Sequence, residues 1–301
     1  MSVTAASPLP RWDMEVVYPG LDSPEYQNDF QRVAAGIRNL KEVFDGHSID
    51  GGEPYPGDCV SAFEDALAAL NRLQEQLEIV EAYTSCVLTT DTRDALAQAR
   101  YSELNVQQAE LRKLQTRFTA WVGTLDVEDL LARSAAARDH EYALRKAKVQ
   151  ARHLMSPPEE SLAADLGLTG HTAWSNLHSD MTSQLEVEIA GQKLPMSAVR
   201  NLAVDKDRET RRKGHEAELA AWKRVEVPLA AAMNSIKGEI GALCRRRGWS
   251  SPLEEALFHA NIDRQTLDAM LEAARESFPT FRRYLRAKAR ALGVERLAWY
   301  D

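Results

Sequence analysis

Apolar residues recur three and four positions apart along most of this chain. Phe63, Leu67, Leu70, Leu73, Leu77 and Val80 form one such stripe, and Leu104, Leu111, Leu114, Phe118 and Trp121 form another. A period near 3.6 gathers each set onto one helix face, so the spacing predicts two long amphipathic helices. The break between them, Thr89-Thr90-Asp91-Thr92, offers side-chain oxygens for a helix cap. Its shortness predicts an antiparallel hairpin. Upstream, Pro8, Pro10, Pro19 and Pro24 predict an extended arm pinned by Trp12, Val17, Tyr18 and Leu21. A first helix is expected from Pro24 to about Phe44, because proline suits a first turn whose N–H groups have no helical partner. Gly46 to Gly57, rich in Gly and Pro, reads as a loop.

Downstream the helical pattern continues. Helices are predicted over 126–133 and 139–155, and another starts at Ser156-Pro157-Pro158-Glu159-Glu160, where acids complement the dipole. Gly167 and Gly170 punctuate the next stretch, and Trp174, Leu177 and Met181 carry the stripe onward. One segment breaks the rule. In Leu185-Glu186-Val187-Glu188-Ile189 apolar residues alternate with acids, and Ala190-Gly191-Gln192 offers a turn before Lys193-Leu194. A period of two predicts a small β-hairpin. Beyond it a long helix is expected from Asp207 to about Cys244, with Trp222, Val225, Leu229, Met233, Ile236, Ile240 and Leu243 buried and a bend at Pro228. A short helix follows over 252–258. Asp263 caps another, which Pro279 is expected to kink or restart, and Gly293 closes the last one. No heptad array or internal repeat stands out. The fold class is all-α with one small β-hairpin.

Composition narrows the functional classes. The formal net charge of −8 argues against a nucleic-acid binder, which needs a concentrated positive surface. The basic clusters Arg208, Arg211, Arg212, Lys213 and Arg245-Arg246-Arg247 read as solvated or dipole-complementing helix faces. So does the set Arg282, Arg283, Arg286, Lys288 and Arg290. Cys59, Cys86 and Cys244 form no CxxC pair, and free thiols fit a reducing compartment. The N-terminus lacks a basic and apolar signal pattern, and no stretch approaches the roughly 20 apolar residues of a membrane span. A soluble cytoplasmic protein is expected.

Candidate chemistry is sparse. A helical zinc peptidase site needs HExxH, with two histidines one turn apart and a glutamate as general base. His140-Glu141 is followed by Tyr142, Ala143 and Leu144, and His215-Glu216 by Ala217, Glu218 and Leu219. Leucine cannot ligate zinc, so neither is read as a site. His171 and His178 are seven apart, too far to share a metal without a bend. His47, His153 and His259 are isolated. There is no GxSxG elbow and no phosphate loop. Glu159-Glu160 and Glu254-Glu255 sit at helix starts, where dipole complementation explains them. No catalytic, cofactor-binding or metal-ligating residue is assigned.

The order of several local motifs adds a resemblance. Arg11-Trp12-Asp13-Met14 with Val17-Tyr18-Pro19-Gly20-Leu21 resembles the start of oligoendopeptidase F, in the wider thimet oligopeptidase family. Leu154-Met155-Ser156-Pro157-Pro158-Glu159-Glu160 through Leu168-Thr169-Gly170, then Ala173-Trp174-Ser175-Asn176-Leu177-His178, resembles its helical N-terminal domain. Asp207-Arg208-Glu209-Thr210-Arg211-Arg212, running to Glu216 and Trp222, is similar to the start of its peptidase domain. Phe278-Pro279-Thr280-Phe281-Arg282-Arg283-Tyr284 and Trp299-Tyr300-Asp301 keep the same register. The resemblance implies the N-terminal half of a two-lobed helical zincin-type oligopeptidase. It implies an arm and hairpin region over 1–110, the helical N-terminal domain over 111–184, and the beginning of the peptidase domain over 185–301.

The same resemblance implies a cytoplasmic zinc metalloendopeptidase acting on short peptides, with its HExxH helix, third glutamate ligand and transition-state-stabilising side chains downstream of Asp301. The chain alone is then expected to bind no zinc and to be inactive. The alternative is a stand-alone helical module that binds peptides or self-associates through surface the missing half would cover, with the stripe around Phe278, Phe281, Tyr284 and Leu285 as the candidate. A nucleic-acid binder using the late basic helices is the third class.

Overall fold

The computed structural model describes residues 12–50, 55, 57–189 and 191–301. The first part of the predicted arm, with Arg11, and part of the loop before Cys59 lie outside the described residues. The described residues divide into two compact units, one ending at Ala164 and the other running from Asp165 to Asp301.

In the first unit three helices carry the core: α1 (Pro24–Gly46), α2 (Cys59–Thr90) and α3 (Ala95–Thr124). Each predicted stripe faces the core, with Leu67, Leu70 and Phe118 partly buried against it. Tyr26, Val33, Ile37, Leu40 and Phe44 of α1 pack with Phe63, Leu73, Leu77 and Val80 of α2 and with Leu104, Leu111 and Trp121 of α3. Tyr18 and Leu21 pin the arm, whereas Trp12 and Val17 are exposed. The rings of Tyr18, Tyr26 and Tyr83 meet edge to face or tilted, at 5.0–5.9 Å. Such ring pairs add to their area burial. The second helix of the hairpin is capped by Asp94, which accepts from the N–H groups of Leu96 and Ala97. The expected Thr89–Thr92 cap does not form, because the Thr89 and Thr90 hydroxyls bond back to carbonyls of Ser85 and Cys86 in α2. Threonine near a helix end readily makes that i−4 bond.

Three shorter helices close this unit: α4 (Val127–Arg133), α5 (Ala135–Asp139) and α6 (Glu141–Gln150), followed by a 3₁₀ turn over Ala151–His153. The sequence reading missed α5 and ran 139–155 as one helix. Ser134 explains the difference: its hydroxyl accepts from the Ala137 N–H and donates to Glu64, which starts a new helix there. Gly123 lets the turn approach α3, since a Cβ there would fall 2.5 Å from that of Ala151. Helix α7 (Pro157–Gly167) begins as predicted, with Glu159 accepting from the Ser156 N–H and hydroxyl, the carboxylate half of a capping box.

In the second unit α8 (Ala173–Ser183) leads into the predicted hairpin, β1 (Glu186–Ile189) and β2 (Gln192–Pro195). Val187 pairs with Leu194 in an antiparallel register. Helix α9 (Met196–Asn201) follows, then α10 (Arg208–Arg246). Leu185, Val187, Met196, Val199 and Ala221 form the small core beneath the ribbon. An isolated two-stranded ribbon needs such a platform to be stable. Arg224 ties ribbon to helix by donating to the Glu186 carbonyl at 2.7 Å. Arg200 donates to Glu218 at 2.8 Å and lies over the Trp222 ring, while the Trp222 indole N–H also donates to Glu218.

Two corrections concern the long helices. Met233 and Ile240, expected in the buried stripe of α10, are exposed, while Ala221, Ala232 and Cys244 are buried. Helix α12 (Arg264–Leu292) runs as one element through Pro279, after α11 (Pro252–Ala260). A proline removes one i→i−4 bond and leaves the flanking ones, so neither Pro228 nor Pro279 ends its helix. Asn261 and Gly293 close α11 and α12 in the left-handed conformation, as the glycine at 293 predicts.

Candidate functional site

The two His-Glu pairs sit on helices, and neither assembles a metal centre. His140 precedes α6 and its Nδ1 lies 2.8 Å from the Ala136 carbonyl oxygen, while Glu141 accepts from Arg145. Leu144, at the position a second imidazole would need, is buried in the core. His215 lies on α10 against the Tyr300 ring, Glu216 accepts from Arg212, and Leu219 is exposed. His47 pairs with Asp65 at 2.9 Å. Among the described residues no group of three or more His, Cys, Asp or Glu side chains converges in a way that could hold a metal. The described residues therefore do not fit a zinc ion.

His171 and His178 are separated by a kink. The segment Leu168–Thr172 forms a π-type turn, and Gly170 leaves the helical conformation inside it. Glu239 of α10 fills the notch. Its carboxylate accepts from the His171 N–H at 2.6 Å and lies 2.7 Å from His171 Nδ1. A Cβ on Gly170 would fall 2.3 Å from that carboxylate, so glycine makes room for the contact. The sequence reading noticed the glycine but had no signal for a partner 68 residues away.

A second cluster joins the chain's last residues to the start of α10. Arg208 grips the Asp301 carboxylate through two bonds, at 2.8 and 3.0 Å, and stacks over the Tyr300 ring. Arg211 donates to the Tyr300 carbonyl. The Asp301 side chain has no exposed surface, and the Arg208 bond, with the Ala298 N–H, holds its carboxyl below the usual range. Bidentate arginine–carboxylate pairs are the stronger kind of ion pair. Arg208 and Arg211 are thus structural anchors and not merely a solvated face. Arg212 does fit that reading, laddered with Glu209 and Glu216.

In the first unit a cavity of about 530 Å³ is lined by Lys113, Arg117, Leu154, Met155, Pro157 and Glu160, among others. Glu160 is buried and accepts from the Met155 N–H. Arg117 is committed to Asp45 and Asp50. The lining holds no His or Cys, and its carboxylates Asp50 and Glu160 belong to no metal-ligating group among the described residues. Among the described residues no helix is long and apolar enough to cross a membrane.

Comparison with known proteins adds what the side chains do not. The family model described as Oligopeptidase F matches residues 124–186. The oligoendopeptidase F homolog of Lactococcus lactis subsp. lactis is 20% identical over 96% of this chain and 48% of its own length. The group B oligopeptidase PepB of Streptococcus agalactiae is 20% identical over 97% of this chain and 48% of its own. The crystal structure of oligoendopeptidase-F from Enterococcus faecium superposes with a TM-score of 0.78 at 17% identity, covering 92% of this chain and 55% of that one. The chain spans about half the length of the curated relatives it matches. Over nearly its whole length, in sequence and in fold, the chain is similar to the N-terminal portion of an oligoendopeptidase F.

Proposed function

We propose that this chain is the N-terminal part of a zinc-dependent metalloendopeptidase that hydrolyses short peptides in the cytoplasm, and that it is inactive by itself. One observation carries the reading: the alignment takes in 96% of this chain but only 48% of the lactococcal relative, and the 301 residues contain no HExxH. Zinc and its ligands belong to the portion not spanned. Residues 111–184 correspond, on this reading, to the helical N-terminal domain and 185–301 to the beginning of the peptidase domain. Their role is to shape one wall of a peptide-binding channel.

The test is the nucleotide sequence past the codon for Asp301. An open frame that runs into HExxH supports the proposal, and an immediate stop codon contradicts it. A second reading, a helical module that binds proteins without catalysis, is favoured by the exposure of Phe278, Phe281, Tyr284 and Leu285. Sedimentation separates the two, since a well-behaved monomer speaks against self-association.

A further inference from the structure

The strongest unexplained feature is one face of α12. Because the helix is continuous through Pro279, Leu267, Leu271, Phe278, Phe281, Leu285 and Leu292 fall on one seam, with Ala274 and Lys288 completing its alternating four- and three-residue spacing. The stripe around Phe278, Phe281, Tyr284 and Leu285 is thereby extended toward both ends of the helix. Met270 and Tyr284 widen the seam on one side. In α1 a comparable spacing, Tyr26, Val33, Ile37, Leu40 and Phe44, is entirely buried. In α12 Met270 is 61% and Phe281 60% exposed, and Ala289 alone is buried among its residues. Soluble proteins rarely leave an apolar patch of that extent open unless something covers it.

We propose that this face docks a polypeptide that supplies the half of the oligoendopeptidase F fold this chain does not span. The inference rests on the similarity described above and names the surface through which the second half would join. Two observations select that occupant. The relatives carry about as much chain again as this one matches. The Asp263 cap starts the helix and the Arg208–Asp301 anchor fixes the tail that follows Gly293. Arg282 borders the seam and Lys288 lies within it, and no acidic residue stands between Ser277 and Leu292. The polypeptide that docks there should therefore be apolar at its centre and acidic opposite Arg282 and Lys288.

Hydroxyl-radical footprinting read by mass spectrometry tests this on the whole 301-residue chain, and on the same chain continued by the unmatched half of the lactococcal homolog. Exposed Tyr142 of α6 serves as the reference. Phe278, Phe281 and Tyr284 should label readily in the chain alone and at least tenfold less in the extended protein. Equal labelling in both overturns the proposal. Protection in the chain alone also overturns it: a dimer by sedimentation assigns the face to a second copy, and a monomer shows that it packs on its own chain. If the extended protein fails to fold, the double variant Phe278→Glu, Phe281→Glu of the chain alone still decides. Unchanged helicity and midpoint with weaker binding of a hydrophobic dye support an unpartnered face, and unfolding refutes it. An extended protein that protects α12 yet cleaves no peptide retains the docking and removes the peptidase reading.

Discussion

Tyr26 and Thr84 form the most enclosed polar contact between α1 and α2, and removing it gives a sharp prediction. Both residues are fully buried, and their hydroxyl oxygens lie 2.8 Å apart. Thr84 already donates its one hydroxyl proton to the Val80 carbonyl at 2.6 Å, so Tyr26 must be the donor between them. Tyr26→Phe removes one bond between neutral groups and leaves Thr84 still donating, a cost of about 1 kcal/mol. Thr84→Val keeps the shape but strands the tyrosine hydroxyl in a dry site, a cost of about 1–3 kcal/mol. Adding Tyr26→Phe to Thr84→Val removes the stranded group, so the double variant should be more stable than Thr84→Val alone, by about 1 kcal/mol. Urea denaturation with hydrogen exchange of the α1 and α2 amides reads this for the first unit by itself. Strict additivity of the two single effects would refute the assigned donor and the interaction.

Further outcomes follow from the same packing. Leu104→Ala, deep in α3, should cost about 2–5 kcal/mol, whereas Phe281→Ala on the open face of α12 should stay within about 0.5 kcal/mol, both by chemical denaturation. Gly170→Ala should displace the Glu239 carboxylate and destabilise the kink by about 1 kcal/mol, discounted because the His171 pair is half-exposed. Faster exchange of the His171 amide would register it. The Asp301 carboxyl is held below its ordinary range, so the tail anchor is complete above that range and lost as pH falls through the lowered value. Exchange at the Ala298 amide, which donates to Asp301, should therefore accelerate in acid, and Asp301→Asn should show the acid behaviour at neutral pH.

Most of the helices were legible because their apolar residues keep one period over long runs. The start of α1 could be read from Pro24, and the ribbon from five alternating residues before Gly191. Where the reading failed, a local contact outweighed the pattern. Ser134 starts α5 by capping it, and the hydroxyls of Thr89 and Thr90 turn back into α2, leaving the cap to Asp94. Of the two outcomes expected at Pro279, a kink or a restart, the restart does not occur, because the flanking bonds carry α12 onward. The contacts of Glu239 with His171 and of Arg208 with Asp301 join residues 68 and 93 positions apart, beyond any periodicity.

The most direct test of the account is a paired assay on the purified 301-residue chain: zinc content by atomic absorption, and hydrolysis of a fluorogenic peptide with and without chelator. The account predicts no stoichiometric zinc and no turnover above background. A tightly held zinc together with hydrolysis that the chelator abolishes would contradict it.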